Sequence, residues 1–377
     1  MKKRRLLITG AILGANVLTL VSHAVFTSSC SDTTETRPIN DAANVVLSPR
    51  DGSLQDGAND APTASGLRQL IDRSEGDQDF HTFDLMVTDD QLYWTESNNT
   101  GVQIMTSPLS GSPVTAVMPK GINGGSGAQA VDDEYVYSVN TETIRRVSLA
   151  GRDVIEISLG GASYFYGFLL VDDDALFVSS YGCSEIVRVP KARPDDIRTT
   201  VISESVSPTR GGGSYSTITE THVYCTGATN NLMVRLNKAT GEYSVLVSGA
   251  DQAAVRDTAD YISFGRSAVS TEYVYWVATE GRTKQALYRL PLTGGTPDKL
   301  QEFDVSGINV FLEYDATRNT LYWTSGGGNP TAILRYDIAK GEGDVIQSDL
   351  WTTHGFAMDD DNLYWTTYGG IMTMPKP

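Results

Sequence analysis

Phe356 to Thr366 reads FAMDDDNLYWT: an apolar triplet (Phe356–Met358), an acidic turn (Asp359 to Asp361) and an aromatic run from Leu363 to Thr366. Two short apolar stretches facing each other across a carboxylate-rich turn predict a β-hairpin, because Asp and Asn close tight turns with their own side chains. The unit recurs seven times. With Tyr364 as the anchor, its equivalents are Tyr93, Tyr137, Phe177, Tyr224, Tyr275 and Tyr322, spaced 40 to 51 residues apart. Periods of that size mark solenoids and propellers, whose units bury their faces only against one another.

Within LYWT the two-residue strand period puts Leu92 and Trp94 on one face and Tyr93 and Thr95 on the other. Both faces are bulky, so each sheet is expected to lie between two neighbours rather than have one face wet. Trp94, Trp276, Trp323 and Trp365 follow the anchor directly and read as packing between blades. Each repeat reads as four strands; in the third these are 168–171, 176–179, 186–189 and 199–202. The last repeat ends after its third strand, while Leu67 to Ile71 stands alone before the first. That strand is expected to complete the last blade and close the ring. The fold expected for 67–377 is therefore an all-β, seven-bladed β-propeller of four-stranded blades.

Residues 1–30 read as an export signal: Lys2, Lys3, Arg4 and Arg5, an apolar segment from Leu6 to Phe26, and small residues before Cys30. Thr27-Ser28-Ser29-Cys30 resembles the lipobox of bacterial lipoproteins, with Thr27 where an aliphatic residue is usual. The resemblance implies a lipid on Cys30 and, with Ser31 rather than Asp following it, an outer-membrane lipoprotein. Cleavage after Ser22-His23-Ala24, giving a secreted protein, is the competing reading, and an uncleaved membrane anchor is a third. Residues 31–66 are polar, without a sustained apolar period, and are expected to form a disordered tether.

The chain carries a formal charge of -17. An acidic protein with no basic run after residue 5 is not expected to bind nucleic acid, and a membrane contact is expected only through the lipid. The acidic turns lack the D-x-D-x-D-G spacing of a calcium loop and read as turn formers. Arg146, Arg188, Arg235, Arg289 and Arg335 recur at one point of the third strand and are expected to pair with nearby carboxylates. Cys183 and Cys225 lie in successive repeats, where a disulfide between blades and two separate thiols are both open readings.

LYWTE from Leu92, LYWTS from Leu321 and LYWTT from Leu363, each followed by an I-x-R-like strand, resemble the YWTD repeats of low-density lipoprotein receptor propellers. Glu96 and Ser325 stand where that motif has Asp, and there are seven repeats here against six. The resemblance implies an extracellular propeller used for recognition; it transfers no ligand-binding residue.

No nucleophile elbow, H-E-x-x-H or P-loop is present. Gly124-Gly125-Ser126-Gly127-Ala128 ends in alanine and reads as a loop. The loops between blades are expected to open on one face, bearing His81, Tyr164, Tyr166, Arg210, Tyr215, Tyr261, Arg266, Trp351 and His354. Aromatic and basic groups so concentrated in an acidic chain suit stacking and hydrogen bonding to a sugar or peptide. The expectation is a monomeric, non-catalytic module for a protein, peptide or glycan of the cell envelope, with no catalytic residue, metal or cofactor. The alternative is a propeller enzyme, a lyase or hydrolase with or without a metal, with its site at the ring centre near His354 and His81; propellers of the virginiamycin B lyase type, which use a histidine and a metal there, are the resemblance that raises it.

Overall fold

A computed structural model describes residues 66–72, 81–98, 101–118, 129–140, 142–150, 153–159, 167–202, 214–227, 232–247, 262–280, 284–305, 308–326, 331–350, 353–367 and 369–377. The export segment, nearly all of the tether, and the loop at 124–128 lie outside them.

Seven antiparallel sheets of four strands follow in chain order. Blade 1 comprises His81–Val87, Gln91–Asn98, Gly101–Pro108 and Thr115–Met118, and the next five repeat this meander with first strands Gln129–Val131, Leu169–Val171, Ser214–Ile218, Ile262–Val269 and Ile308–Asp315. Each first strand contacts the first strand of the next blade, and that of blade 7 returns to blade 1, so these strands line the axis of a closed ring. The protein is a seven-bladed β-propeller. Blade 7 contributes Phe356–Met358, Asn362–Thr367 and Gly370–Pro375, and Arg68–Asp72 pairs antiparallel with Gly370–Pro375 as its outer strand.

The two-faced aromatic strand works as the alternation requires. Leu92 and Trp94 pack toward blade 7 with Ala357 and Tyr364, while Tyr93 packs toward blade 2 with Val131 and Val136. All four anchor-following tryptophans are buried.

The acidic turns are built by side-chain capping. Asp132 Oδ1 accepts from the backbone N–H groups of Glu134 and Tyr135, Asp172 Oδ1 from Asp174 and Ala175, and Asp359 Oδ1 from Asp361 and Asn362. Where the repeat has a hydroxyl instead, Thr88, Thr219 and Ser270 accept in the same way from Gln91, His222 and Tyr273. The turn-forming reading holds for both chemistries.

The second carboxylate oxygen ties blades together. Asp132 of blade 2 accepts from Lys191 of blade 3 at 2.5 Å, Asp172 of blade 3 from Lys238 of blade 4 at 2.6 Å, and Asp315 of blade 6 from Lys376 of blade 7 at 2.6 Å. Each lysine directly follows a third strand, with its N–H bonded to the carbonyl of Asp174, Thr221 or Asp361 in its own blade. The same backbone bond fixes Leu109, Leu149, Leu292 and Ile338 in the other blades. Those four side chains pack instead into apolar clusters. The position thus holds lysine where the preceding turn presents Asp132, Asp172 or Asp315, and an aliphatic residue where it presents Thr88, Thr219 or Ser270. Asp359 precedes Leu109; its Oδ2 accepts from the Tyr364 hydroxyl at 2.7 Å.

Cys183 and Cys225 form a disulfide between blades 3 and 4, buried in a cluster with Phe177, Ile186 and Val234. The bond spans 42 residues of sequence, and closing a loop of that size in the unfolded chain is worth about 2–4 kcal/mol. Denaturant unfolding of the Cys183→Ser/Cys225→Ser variant is expected to show a loss of that size. An unchanged midpoint would mean the bond constrains neither state.

Candidate functional site

Four of the nine loop-face residues expected from sequence lie among the described residues. Tyr164, Tyr166, Arg210, Tyr261 and Trp351 lie outside the described residues, and His81 opens the first strand of blade 1. Tyr215 is a strand residue of blade 4, partly buried against the cluster that contains Phe311 and Tyr322. His354 is held by its backbone, its N–H donating to Thr366 Oγ1 at 3.2 Å and its carbonyl accepting from the N–H of Asp84 at 3.2 Å.

Arg266 departs most from expectation. It lies on the axial strand Ile262–Val269 and is 1 % exposed, where the sequence reading placed a loop cation on an open face. The cause is a β-bulge. Gly265 and Arg266 occupy an interruption of the pairing between Phe264 and Ser267, which re-aims the side chain. Blades 1 and 6 have equivalent bulges at Asp84-Leu85 and Val310-Phe311. Arg266 Nη1 donates to Glu313 Oε1 of blade 6 at 3.1 Å. Burial pushes the Arg266 guanidinium down from its usual range, and the charges of Glu313 and Asp84 oppose this. Burial pushes the Glu313 carboxyl up, and Arg266 and Lys376 hold it back. Asp84 is 1 % exposed and adopts φ 45°, a left-handed conformation that is costly for a residue with a Cβ.

Sequence reasoning missed Asp84 and Glu313. Glu313 did leave a signal: it faces anchor Tyr322, a place taken by Met86, Ala130, Leu170, Thr217, Ala268 and Ala357 in the other blades. The axial cluster is thus an internal cross-link between blades 5 and 6, in the field of a blade 1 carboxylate. Among the described residues, no group of three or more His, Cys, Asp or Glu side chains is placed to hold a metal ion.

A large opening lies at the acidic-turn end of blades 1 to 4, away from the expected loop face. It is a hollow of about 1640 Å³. Asp89, Asp90, Asp133, Glu134, Asp173, Asp174 and Glu220 line it with exposed carboxylates, and Tyr93, Tyr135, Tyr137 and Arg146 supply aromatic and cationic surface. Asp132 and Asp172 also line it, but their carboxylates carry the Lys191 and Lys238 clips. Burial works to raise the Asp132 carboxyl; the hydrogen bond from Lys191 and the turn amides outweigh it and hold the group below the usual carboxylate range. Burial and the adjacent Asp132 push the Tyr137 phenol well above its ordinary value. The lining offers many carboxylate acceptors, with the half-buried Tyr135 and Arg146 among them.

No family model matches the chain, and none of the curated proteins is similar to it in sequence. Solved structures match its fold. The virginiamycin B lyase of Staphylococcus aureus is similar at 13% identity and a TM-score of 0.62, over 82% of this chain and 98% of that one. A streptogramin B lyase is similar at 12% identity and a TM-score of 0.58, over 81% and 96%. The hydrazine synthase of Kuenenia stuttgartiensis is similar at 14% identity and a TM-score of 0.56, over 75% and 92%. The likeness is one of fold alone.

Proposed function

We propose that the protein is an exported, lipid-tethered binding module, without catalysis, that takes a basic segment of a polypeptide into the hollow at the acidic-turn end of blades 1 to 4. The observation that carries this is the hollow itself. At about 1640 Å³ it exceeds the roughly 300–1,000 Å³ of small-molecule pockets, and its lining is polar where those are mostly apolar. Its exposed carboxylates favour a cationic ligand. The buried disulfide supports an oxidising compartment, which agrees with export through residues 1–30.

The test is binding of the mature protein to a pooled set of octapeptides of Lys, Arg, Ala and Gly, measured by fluorescence anisotropy in low salt. Glu134, Asp174 and Glu220 are exposed, so Glu134→Lys/Asp174→Lys/Glu220→Lys should fold. It is expected to weaken binding at least tenfold, and 0.5 M salt should weaken it too, because exposed charges are screened. Failure of the pool to bind, or equal binding by the variant, sinks the reading. The tether is tested separately by mass spectrometry: acyl chains on Cys30 are expected, with release into the medium on Cys30→Ser.

A further inference from the structure

Four of the five recurrent third-strand arginines leave the hollow unlined, and Arg146 alone among them belongs to it. The fourth strand decides what each can pair with. Asp298 faces Arg289 and Asp344 faces Arg335, giving ion pairs at 3.2 and 2.7 Å. Arg235 faces Ser244 and donates instead to the carbonyl of Leu292 at 2.6 Å. Arg188 faces Arg198 and Arg146 faces Ile155, so neither has an acceptor across the strand, and of these two only Arg146 lines the hollow.

The lining acid that bonds the neighbouring Tyr137 is saturated. Asp132 spends one oxygen on the amides of Glu134 and Tyr135 and the other on Tyr137 and Lys191. The Arg146 guanidinium lies over the Tyr135 ring, 4.9 Å from its centre. Among the described residues it makes no hydrogen bond or ion pair, and its Nε is buried with no acceptor. A planar fork of N–H donors, stacked on an aromatic face and lacking an acceptor, is preorganised for a two-pronged bond to a carboxylate. A second cavity of about 490 Å³ abuts the hollow and shares Asp133, Glu134, Tyr135 and Leu149 with it. A chain lying along blade 2 through both therefore passes this guanidinium.

We propose that Arg146 receives a carboxylate of the bound polypeptide, so that the ligand is zwitterionic: basic side chains toward the turn carboxylates and one acid on Arg146. This rests on the reading of the hollow as the binding site. A purely anionic ligand would be repelled by the surrounding carboxylates, and a purely cationic one would leave Arg146 without an acceptor. The carboxylate has two sources, the C-terminus or an acidic side chain.

Three octapeptide pools separate them: Lys/Arg/Ala/Gly with a free C-terminus, the same pool amidated, and the amidated pool with one internal Glu. Binding is measured to the wild type and to Arg146→Gln and Arg146→Lys, each checked for an unchanged melting transition. The expected result is at least tenfold tighter binding of a carboxylate-bearing pool than of the amidated one. That advantage should be lost in Arg146→Gln and only partly kept in Arg146→Lys, which retains charge but not the fork. A preference for the free acid identifies the C-terminus, and recovery with internal Glu identifies a side chain. Equal binding of all three pools, or an advantage that survives Arg146→Gln, overturns the role of Arg146 and leaves the hollow standing. Failure of every pool to bind overturns both.

Discussion

Replacing Lys376 by methionine is expected to cost about 3–5 kcal/mol of unfolding free energy, the usual result of removing one member of a buried ion pair. Lys376 and Asp315 expose only 1 % and 2 % of their side chains, which makes this the most deeply buried of the three Asp–Lys clips between blades. Burial works to raise the Asp315 carboxyl, but the hydrogen bonds from Lys376, Thr317 and the Arg318 amide dominate and hold it far below its ordinary value. Without Lys376 the buried Asp315 carboxylate keeps, among the described residues, only the more exposed Arg318 as a counter-charge, its Nη1 3.3 Å from Oδ2. The double variant Lys376→Met/Asp315→Asn removes both charges and keeps a side-chain oxygen to close the turn through Thr317 and Arg318. It should recover most of the loss.

The pH dependence gives a second handle. A carboxyl whose folded value is depressed contributes stability above its unfolded value of about 3.9 and loses that contribution as pH falls through the folded value. The difference between wild type and Lys376→Met in urea unfolding should therefore narrow from pH 6 toward pH 3. A loss under 1 kcal/mol at pH 6, or a gap that widens in acid, would show that the clip is not holding the closing blade.

Arg266→Met is expected to cost a similar amount, about 3–5 kcal/mol, and its defect too should be relieved by acid, here because the stranded carboxyls become neutral. It leaves Glu313 beside the axis with only a quarter (26%) of its side chain in contact with solvent, and Asp84 in the same core with no arginine charge to offset either. The Glu313 carboxyl, already raised by burial, is then raised further in the folded state. A raised folded value means stability is lost as pH rises from the unfolded value through the folded one, so the defect should be largest near neutral pH and shrink between about pH 6 and 4. Arg266→Met/Glu313→Gln should restore part of the loss. A defect independent of pH would mean that the variant loses packing alone, and that the axial charges do not couple.

These two variants also mark what could be read from the chain. The seven hairpins, the ring closure by 68–72 and the two-faced aromatic strand were legible because each depends on local pattern: a two-residue period, turn chemistry and a recurring spacing. The Asp–Lys clips were half legible. Lys191, Lys238 and Lys376 share one repeat position with Leu109, Leu149, Leu292 and Ile338, but which turn each faces is known only once blade n+1 is placed beside blade n. The pairing of Cys183 with Cys225, at unequal offsets from their anchors, needed the same placement. Arg266 was misplaced on a loop because a bulge is a backbone irregularity with no fixed sequence mark. Arg146 looked like four other arginines until the ring placed it, alone of the five, in the hollow and opposite Ile155.

The sequence by itself determined a seven-fold repeat of four-stranded sheets closed by an N-terminal strand, an acidic surface, and candidate export and lipid signals, since these follow from periodicity and composition along one chain. Only the tertiary structure decided which end of the ring holds the large polar hollow, which arginine faces it without an acid, and which charges are buried on the axis. Those depend on distances between residues dozens to hundreds of positions apart, and burial, which fixes their energetic weight, exists only after the ring has closed.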